Sequence, residues 1–139
     1  MSEKEAALDA MRRVIDAVNS GENSAGLSAM SENVVIIDDV APFQRTGREE
    51  AEQWFRRLAN ARSRMHASLS LDTADVQVAS GRAYLVAPGC LHGKLTAGDY
   101  EIRGVVTSTL VERDGNWLVD SLIWSSGRSL KAGSSPRLP

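Results

Sequence analysis

Apolar residues recur every three or four positions along the first twenty residues, and Ala7, Leu8, Met11, Val14, Ile15 and Val18 share one side of a helix. Ser2 and Glu5 stand at the spacing of a capping box, and Asn19-Ser20-Gly21 supplies a stop. A short second helix is expected from Ser24 to Met30, weakened by Gly26 in its middle. The pattern then becomes a continuous apolar run, Val34-Val35-Ile36-Ile37, in a strand from Asn33 to Asp38 that stops on two aspartates. Thr46 and Glu49 form another capping box. Behind it, Ala51, Trp54, Phe55, Leu58 and Ala59 keep helical spacing to an end near Ala61 to Ser63.

Beyond that helix the period falls to two. Ala67, Leu69 and Leu71 alternate with polar residues, and Ser80-Gly81 marks a hairpin turn into a long strand, Arg82 to Leu95. Pro88-Gly89 within it predicts a bulge or an edge position. Thr96 to Asp99 turns into Tyr100–Glu112, and Asp114-Gly115 turns into Trp117–Ser125. Helices followed by hairpin-linked strands predict an α+β fold, an antiparallel sheet packed on three N-terminal helices. A single domain over residues 1–126 is expected, with 127–139, rich in Gly, Ser and Pro, as a flexible basic tail.

Alternation also sorts the strand residues into faces. With Asp114-Gly115 as a two-residue turn and Thr96 to Asp99 as a loop, one face carries Cys90, His92, Arg103, Val105, Thr107, Thr109, Asp120, Leu122 and Trp124. This mixed face is expected to line a pocket. The opposite face is mostly apolar, and its row Val106, Leu110, Val119 and Ile123 is expected to pair two copies of the chain as a homodimer.

Composition narrows the function. The chain has 139 residues, 42% apolar and 24% charged, which is ordinary for one globular domain. No apolar run approaches the ~20 residues of a membrane span. The N-terminus lacks an export pattern and the lone Cys90 excludes an internal disulfide, so a cytoplasmic location is expected. Net charge is −2 although the tail carries Arg128, Lys131 and Arg137 with no acid; the remainder is more acidic still, which argues against a nucleic-acid partner. Two histidines, His66 and His92, and one cysteine do not show the spacing of a metal site, and no phosphate-binding loop is present, so neither metal nor organic cofactor is expected.

The strongest chemical signal is Asp38. A carboxylate held where an apolar strand ends stands at the mouth of a hydrophobic interior, where desolvation opposes its charge and fits it for acid or base work. Its neighbour Asp39 points the other way along the strand, so the two do not share a proton.

The element order, with Ile37-Asp38, Thr46-Gly47-Arg48-Glu49, Trp54-Phe55, Asp114-Gly115-Asn116-Trp117 and Trp124-Ser125, resembles the nuclear transport factor 2-like superfamily over roughly Glu3 to Ser126. Within it the chain looks most like the SnoaL-like group, which includes polyketide cyclases and relatives of ketosteroid isomerase. The resemblance implies a cone-like curved sheet around three helices with a pocket inside. It places the isomerase base on Asp38, the enolate-stabilising tyrosine on Val14, the protonated aspartate on Thr107 and a pocket tyrosine on Phe55. Val14 donates no hydrogen bond and Thr107 only a weak one, while loss of one oxyanion donor costs ~10²–10³ in rate in a well-studied hydrolase. Steroid isomerisation is therefore not expected. The final-strand aspartate of limonene epoxide hydrolases falls on Leu122, so that arrangement is not recovered either.

The expected function is binding of a small apolar molecule, with Asp38 as the base of an isomerase, cyclase or hydrolase of the SnoaL-like type. Val14, Trp54, Phe55, His92, Arg103, Thr107, Asp120 and Trp124 would shape the pocket. The alternative is a non-catalytic ligand-binding or dimeric interaction module.

Overall fold

Three helices and seven strands make up residues 1–126, the part of the chain that the computed structural model describes; the tail at 127–139 lies outside the described residues. Helix α1 (Glu3–Ser20) starts on the expected capping box: Ser2 Oγ accepts the Glu5 N–H at 3.1 Å, and the Glu5 carboxylate accepts the Ser2 N–H at 3.3 Å. It ends on Gly21, whose φ of 81° suits glycine. Helix α2 (Asn23–Ser28) is one and a half turns long. Gly26 belongs there for packing, because a Cβ would collide with the Phe55 ring.

Strand β1 (Met30–Ile37) leads through a loop to the short β2 (Gln44–Thr46), which the sequence reads as loop, and then to α3 (Gly47–Met65). The Thr46 side chain caps nothing. Glu50, one position beyond the predicted partner Glu49, reaches back to the Thr46 N–H at 3.0 Å. The remaining strands are β3 (Ser68–Leu71), β4 (Asp75–Ala79), β5 (Arg82–Leu95), β6 (Gly98–Arg113) and β7 (Asn116–Ser126).

The strands form one curved sheet in the order β2-β1-β7-β6-β5-β3, with β4 also on β5. Every pairing is antiparallel except β1 with β7, which is parallel. The three helices and the inward side chains of the sheet enclose the core, in which Met11, Val14, Met30, Phe55, Leu85, Leu110 and Val119 are all buried. The free edge of β3 is covered by Asn19 at the end of α1. Its amide accepts the Leu69 N–H and donates to the Leu69 carbonyl, both at 2.7 Å, as a strand partner would.

Three register features differ from the alternation read in the sequence. First, β5 carries no bulge at Pro88-Gly89; it stays paired with β6 from Arg82↔Val111 to Leu95↔Gly98. On its other side the partner changes from β4 to β3, and Pro88 sits opposite that gap, where no carbonyl awaits an N–H. Its own carbonyl accepts the Asp72 N–H at 2.8 Å. Second, the β5–β6 connection is the two-residue turn Thr96-Ala97, so His92 faces Glu101 and Cys90 faces Arg103.

Third, β6 and β7 slip by one residue. Leu110 pairs with Val119 but Thr109 pairs with Ser121, which leaves Asp120 without an opposite number. Beyond the slip Ser108 faces Leu122 and Val106 faces Trp124. One extra residue inverts side-chain parity, and this corrects the face assignment. Val106, Leu110 and Val119, expected on a dimer surface, point at the helices and are 1%, 1% and 0% exposed. Of that row only Ile123, opposite Thr107, lies on the outer face. Among the described residues, no helix is long and apolar enough to cross a membrane.

Candidate functional site

Asp38 immediately follows β1, whose Val34 and Ile36 anchor the strand in the core. Three donors converge on its carboxylate. The Val40 N–H donates to Oδ1 at 3.1 Å, closing a turn within the loop. Arg45 is brought alongside by the β1–β2 ladder, where it pairs with Ile36, and its Nη1 lies 3.4 Å from the same oxygen. The Trp54 indole N–H, from the second turn of α3, donates to Oδ2 at 3.0 Å. Arg45 and Asp38 side chains are 7% and 12% exposed, so this pair is largely withdrawn from water.

Behind the carboxylate lies a cavity of about 160 Å³. Ile15 and Val18 of α1, Trp54 and Leu58 of α3, and Leu69, Leu91, Val106, Leu122 and Trp124 of the sheet form most of its wall. Asp38 stands at its mouth with Asp39, which is exposed at the rim. Trp124 has room because Gly89 and Gly104 are cross-strand partners beneath it. A Cβ on Gly104 would stand 2.7 Å from the indole and 2.5 Å from the Ser125 carbonyl oxygen, and one on Gly89 would stand 3.2 Å from the same ring. Apart from Trp54, Trp124 is the only lining side chain that carries an N–H or O–H donor among the described residues.

A wider groove of about 730 Å³ runs along the other side of Arg45, past Arg48, Glu49, Glu50 and Arg57. It is open and its charges are of both signs. The more apolar pocket, with a carboxylate in its lining, is the better candidate for a small-molecule site.

The structure brings Asp38, Trp54 and Trp124 together at the cavity and places the other sequence candidates elsewhere. Val14 and Phe55 are in the packed core, 0% and 1% exposed, and do not line the cavity. Asp120, at the slip in β7, accepts the Ser31 hydroxyl at 2.6 Å and holds β7 to the irregular start of β1. Thr107, His92 and Arg103 fall on the outer face, because the inward residues of β5 and β6 there are Leu91, Gly104, Val106 and Ser108. Leu58, Leu69, Leu91 and Leu122, which line the wall, carry no chemical signal; helical spacing marks Leu58, strand alternation marks Leu69, and Leu122 stands on the face expected to line a pocket.

On that outer face His92 stands beside Cys90 and Glu101. The Cys90 thiol is held above its ordinary pKa, first by partial desolvation and then by its hydrogen bond to Glu101 and that residue's charge; Arg103 pulls the other way.

No family model matches the sequence, and no curated protein matches it. Solved structures do. An NTF2-like protein with a cystatin-like fold from Novosphingobium aromaticivorans superposes with a TM-score of 0.80 at 13% identity, over 94% of this chain and 86% of that one. The CaMKII hub of S. rosetta gives 0.79 at 19% identity, over 91% and 98%. A candidate scytalone dehydratase from Novosphingobium aromaticivorans gives 0.77 at 15% identity, over 91% and 85%. At such identities the likeness is one of fold.

Proposed function

We propose that this chain, whose fold is that of the nuclear transport factor 2-like proteins, binds a small apolar molecule in the cavity and uses Asp38 to take up or return a proton there. The observation that carries this reading is the partly open apolar pocket with one oriented carboxylate in its lining. Trp54 and Arg45 fix the orientation of Asp38 before any ligand arrives, which is what a proton-transfer group requires. The likeness to a candidate scytalone dehydratase supports a reaction that begins with proton abstraction, as isomerisation, cyclisation and dehydration do.

Size restricts the substrate. A cavity of about 160 Å³ matches the ~150 Å³ engineered cavity known to take up benzene, and it is well below the ~300–1,000 Å³ of common ligand pockets. A single-ring molecule fits this space, and a steroid nucleus would extend beyond it. In this reading the Trp124 indole N–H would serve a substrate oxygen, since that of Trp54 is given to Asp38.

A second reading, binding without turnover, is favoured by one observation: both Asp38 oxygens already accept hydrogen bonds from the protein. The two readings separate experimentally. Single-ring enones and phenols are titrated by NMR, and any that bind at the cavity are assayed for isomerisation or dehydration. The catalytic reading expects Asp38→Asn to keep binding and lose turnover, and Trp124→Phe to keep binding and turn over more slowly. Binding with turnover unaffected by Asp38→Asn overturns it, and binding with no turnover of any bound compound favours the second.

We also infer a homodimer formed through the outer face of the sheet. The parity inversion moves its apolar row to Tyr84, Val86, Val105 and Ile123, of which the first three are 57%, 40% and 38% exposed.

A further inference from the structure

Cys90 and His92 are two residues apart on β5, so both side chains leave the same face of the strand. Glu101 of β6 lies directly across from His92, and Arg103 directly across from Cys90. On the other flank of β5, Ser70 of β3 pairs with Cys90. A thiol, an imidazole and a carboxylate thereby meet on three points of two adjacent strands, with one ligating atom from each within 4.8 Å of the other two.

Both ring nitrogens of His92 have a polar neighbour. Ser70 Oγ donates its single proton to the Cys90 carbonyl at 3.4 Å. The same oxygen lies 3.2 Å from His92 Nε2, and in the tautomer protonated there the hydroxyl accepts from the ring. Nδ1 lies 4.0 Å from Cys90 Sγ, and in that tautomer its lone pair is available to a metal. A metal-bound histidine ordinarily donates its other ring N–H to a carboxylate, a backbone carbonyl or water, and Ser70 Oγ stands where that acceptor belongs.

We propose that Cys90, His92 and Glu101 form a binding site for a borderline-soft divalent cation of the zinc type on the outer face of the sheet. Tetrahedral zinc, with bonds of ~2.0–2.1 Å to nitrogen and ~2.3 Å to sulfur, holds neighbouring ligand atoms ~3.3–3.7 Å apart. The sulfur–nitrogen pair at 4.0 Å has to close by ~0.4 Å to meet that geometry, within reach of side-chain rotation alone. One thiolate and one imidazole select zinc-like ions over calcium or magnesium, which prefer oxygen donors throughout. Arg103 Nη2 holds Glu101 Oε1 at 2.9 Å, which leaves the second carboxylate oxygen for the metal and offsets the negative charge of the ligand set. Binding replaces the thiol proton, which passes to solvent, and the fourth position faces water.

The site is separate from the cavity but shares a strand with it. Leu91, between the two β5 ligands, is part of the cavity wall on the opposite face. A cation clamped across β5 and β6 therefore fixes the backbone that carries Leu91. The assignment does not depend on the proposed proton transfer at Asp38.

The test is titration of the untagged, metal-free protein with cobalt(II), followed by displacement with zinc(II). The expected result is one equivalent bound with thiolate-to-cobalt charge-transfer absorption, release of a proton, and protection of Cys90 from alkylation. Cys90→Ser should abolish the charge-transfer band, and Ser70→Ala should weaken affinity about 10–100-fold without removing a ligand. His92→Gln and Glu101→Gln should each weaken it at least as much, while His66→Gln should leave it unchanged. The ligands are half-buried or exposed, and circular dichroism of each variant checks that the sheet persists. A spectrum without the thiolate band, a band that survives in Cys90→Ser, or affinity that follows His66 instead of His92 overturns the assignment.

Discussion

The Trp54 indole N–H donates to Asp38 Oδ2 at 3.0 Å, which ties α3 to the end of β1 across the mouth of the cavity. Trp54→Phe keeps most of the packing and removes the donor. It is expected to cost about 1.5 kcal/mol, the lower end for a hydrogen bond to a charged acceptor, measured by denaturant unfolding. A loss below a few tenths of a kcal/mol would mean that the ring and not the hydrogen bond matters.

Arg45 and Asp38 form a withdrawn pair, so removing one partner leaves the other charged and poorly solvated. Arg45→Met and Asp38→Asn are each expected to destabilise by about 1.5–3 kcal/mol, and the double variant by clearly less than the sum. A double-mutant cycle that gives strict additivity would show that the pair is not coupled.

Gly104 has no spare room. Gly104→Ala forces the new methyl group against Trp124 and the Ser125 carbonyl, and should cost about 1–3 kcal/mol as an overpacked site. Tryptophan fluorescence and near-UV circular dichroism should change together with stability, since the indole has to move. The same substitution at Gly115, in an open turn, is the control for packing: any loss there comes from its φ of 81°.

Metal-free Cys90 should alkylate slowly at neutral pH and faster as pH rises, because a thiol held above its ordinary pKa supplies less thiolate at any given pH. Glu101→Gln removes a cause that raises it and should speed alkylation at fixed pH; Arg103→Gln removes the one that lowers it and should slow alkylation. Rate–pH profiles of the three proteins decide the point.

The dimer inference is checked by light scattering. Val86→Lys places a charge in the exposed row Tyr84, Val86 and Val105 and should shift the protein to monomer. Val106→Lys is the wrong surface variant: it buries a lysine in the core and should unfold the chain instead.

Much of the fold was legible because local chemistry and tertiary demand agree. The capping box at Ser2 and Glu5 forms as written, and Ser80-Gly81 and Asp114-Gly115 adopt the positive φ angles that short hairpins require. Asp38 was legible as a carboxylate at the end of an apolar strand. Its partners were not: Arg45 arrives through β2, a strand of three residues, and Trp54 arrives from another helix. The triad on the outer face was invisible for a similar reason. A search by spacing weighs His66 against His92, whereas the cluster takes Glu101 from across a hairpin whose turn is two residues, not four.

By itself the sequence determined the three helices, the long strands and their order, the two tight hairpins and the carboxylate that closes β1, though not the short β2 or the division of β3 from β4, since propensity, capping and turn chemistry act within a few residues. Only the tertiary structure decided which side of each strand is inside. In β6 the run Val105-Val106-Thr107-Ser108-Thr109-Leu110 offers apolar groups on both faces, so alternation alone does not choose between them. The choice is made by one unpaired residue, Asp120, held by Ser31 of the neighbouring β1, which is far away in sequence. That slip turns Val106 and Trp124 toward the cavity and leaves Thr107 on the outer face.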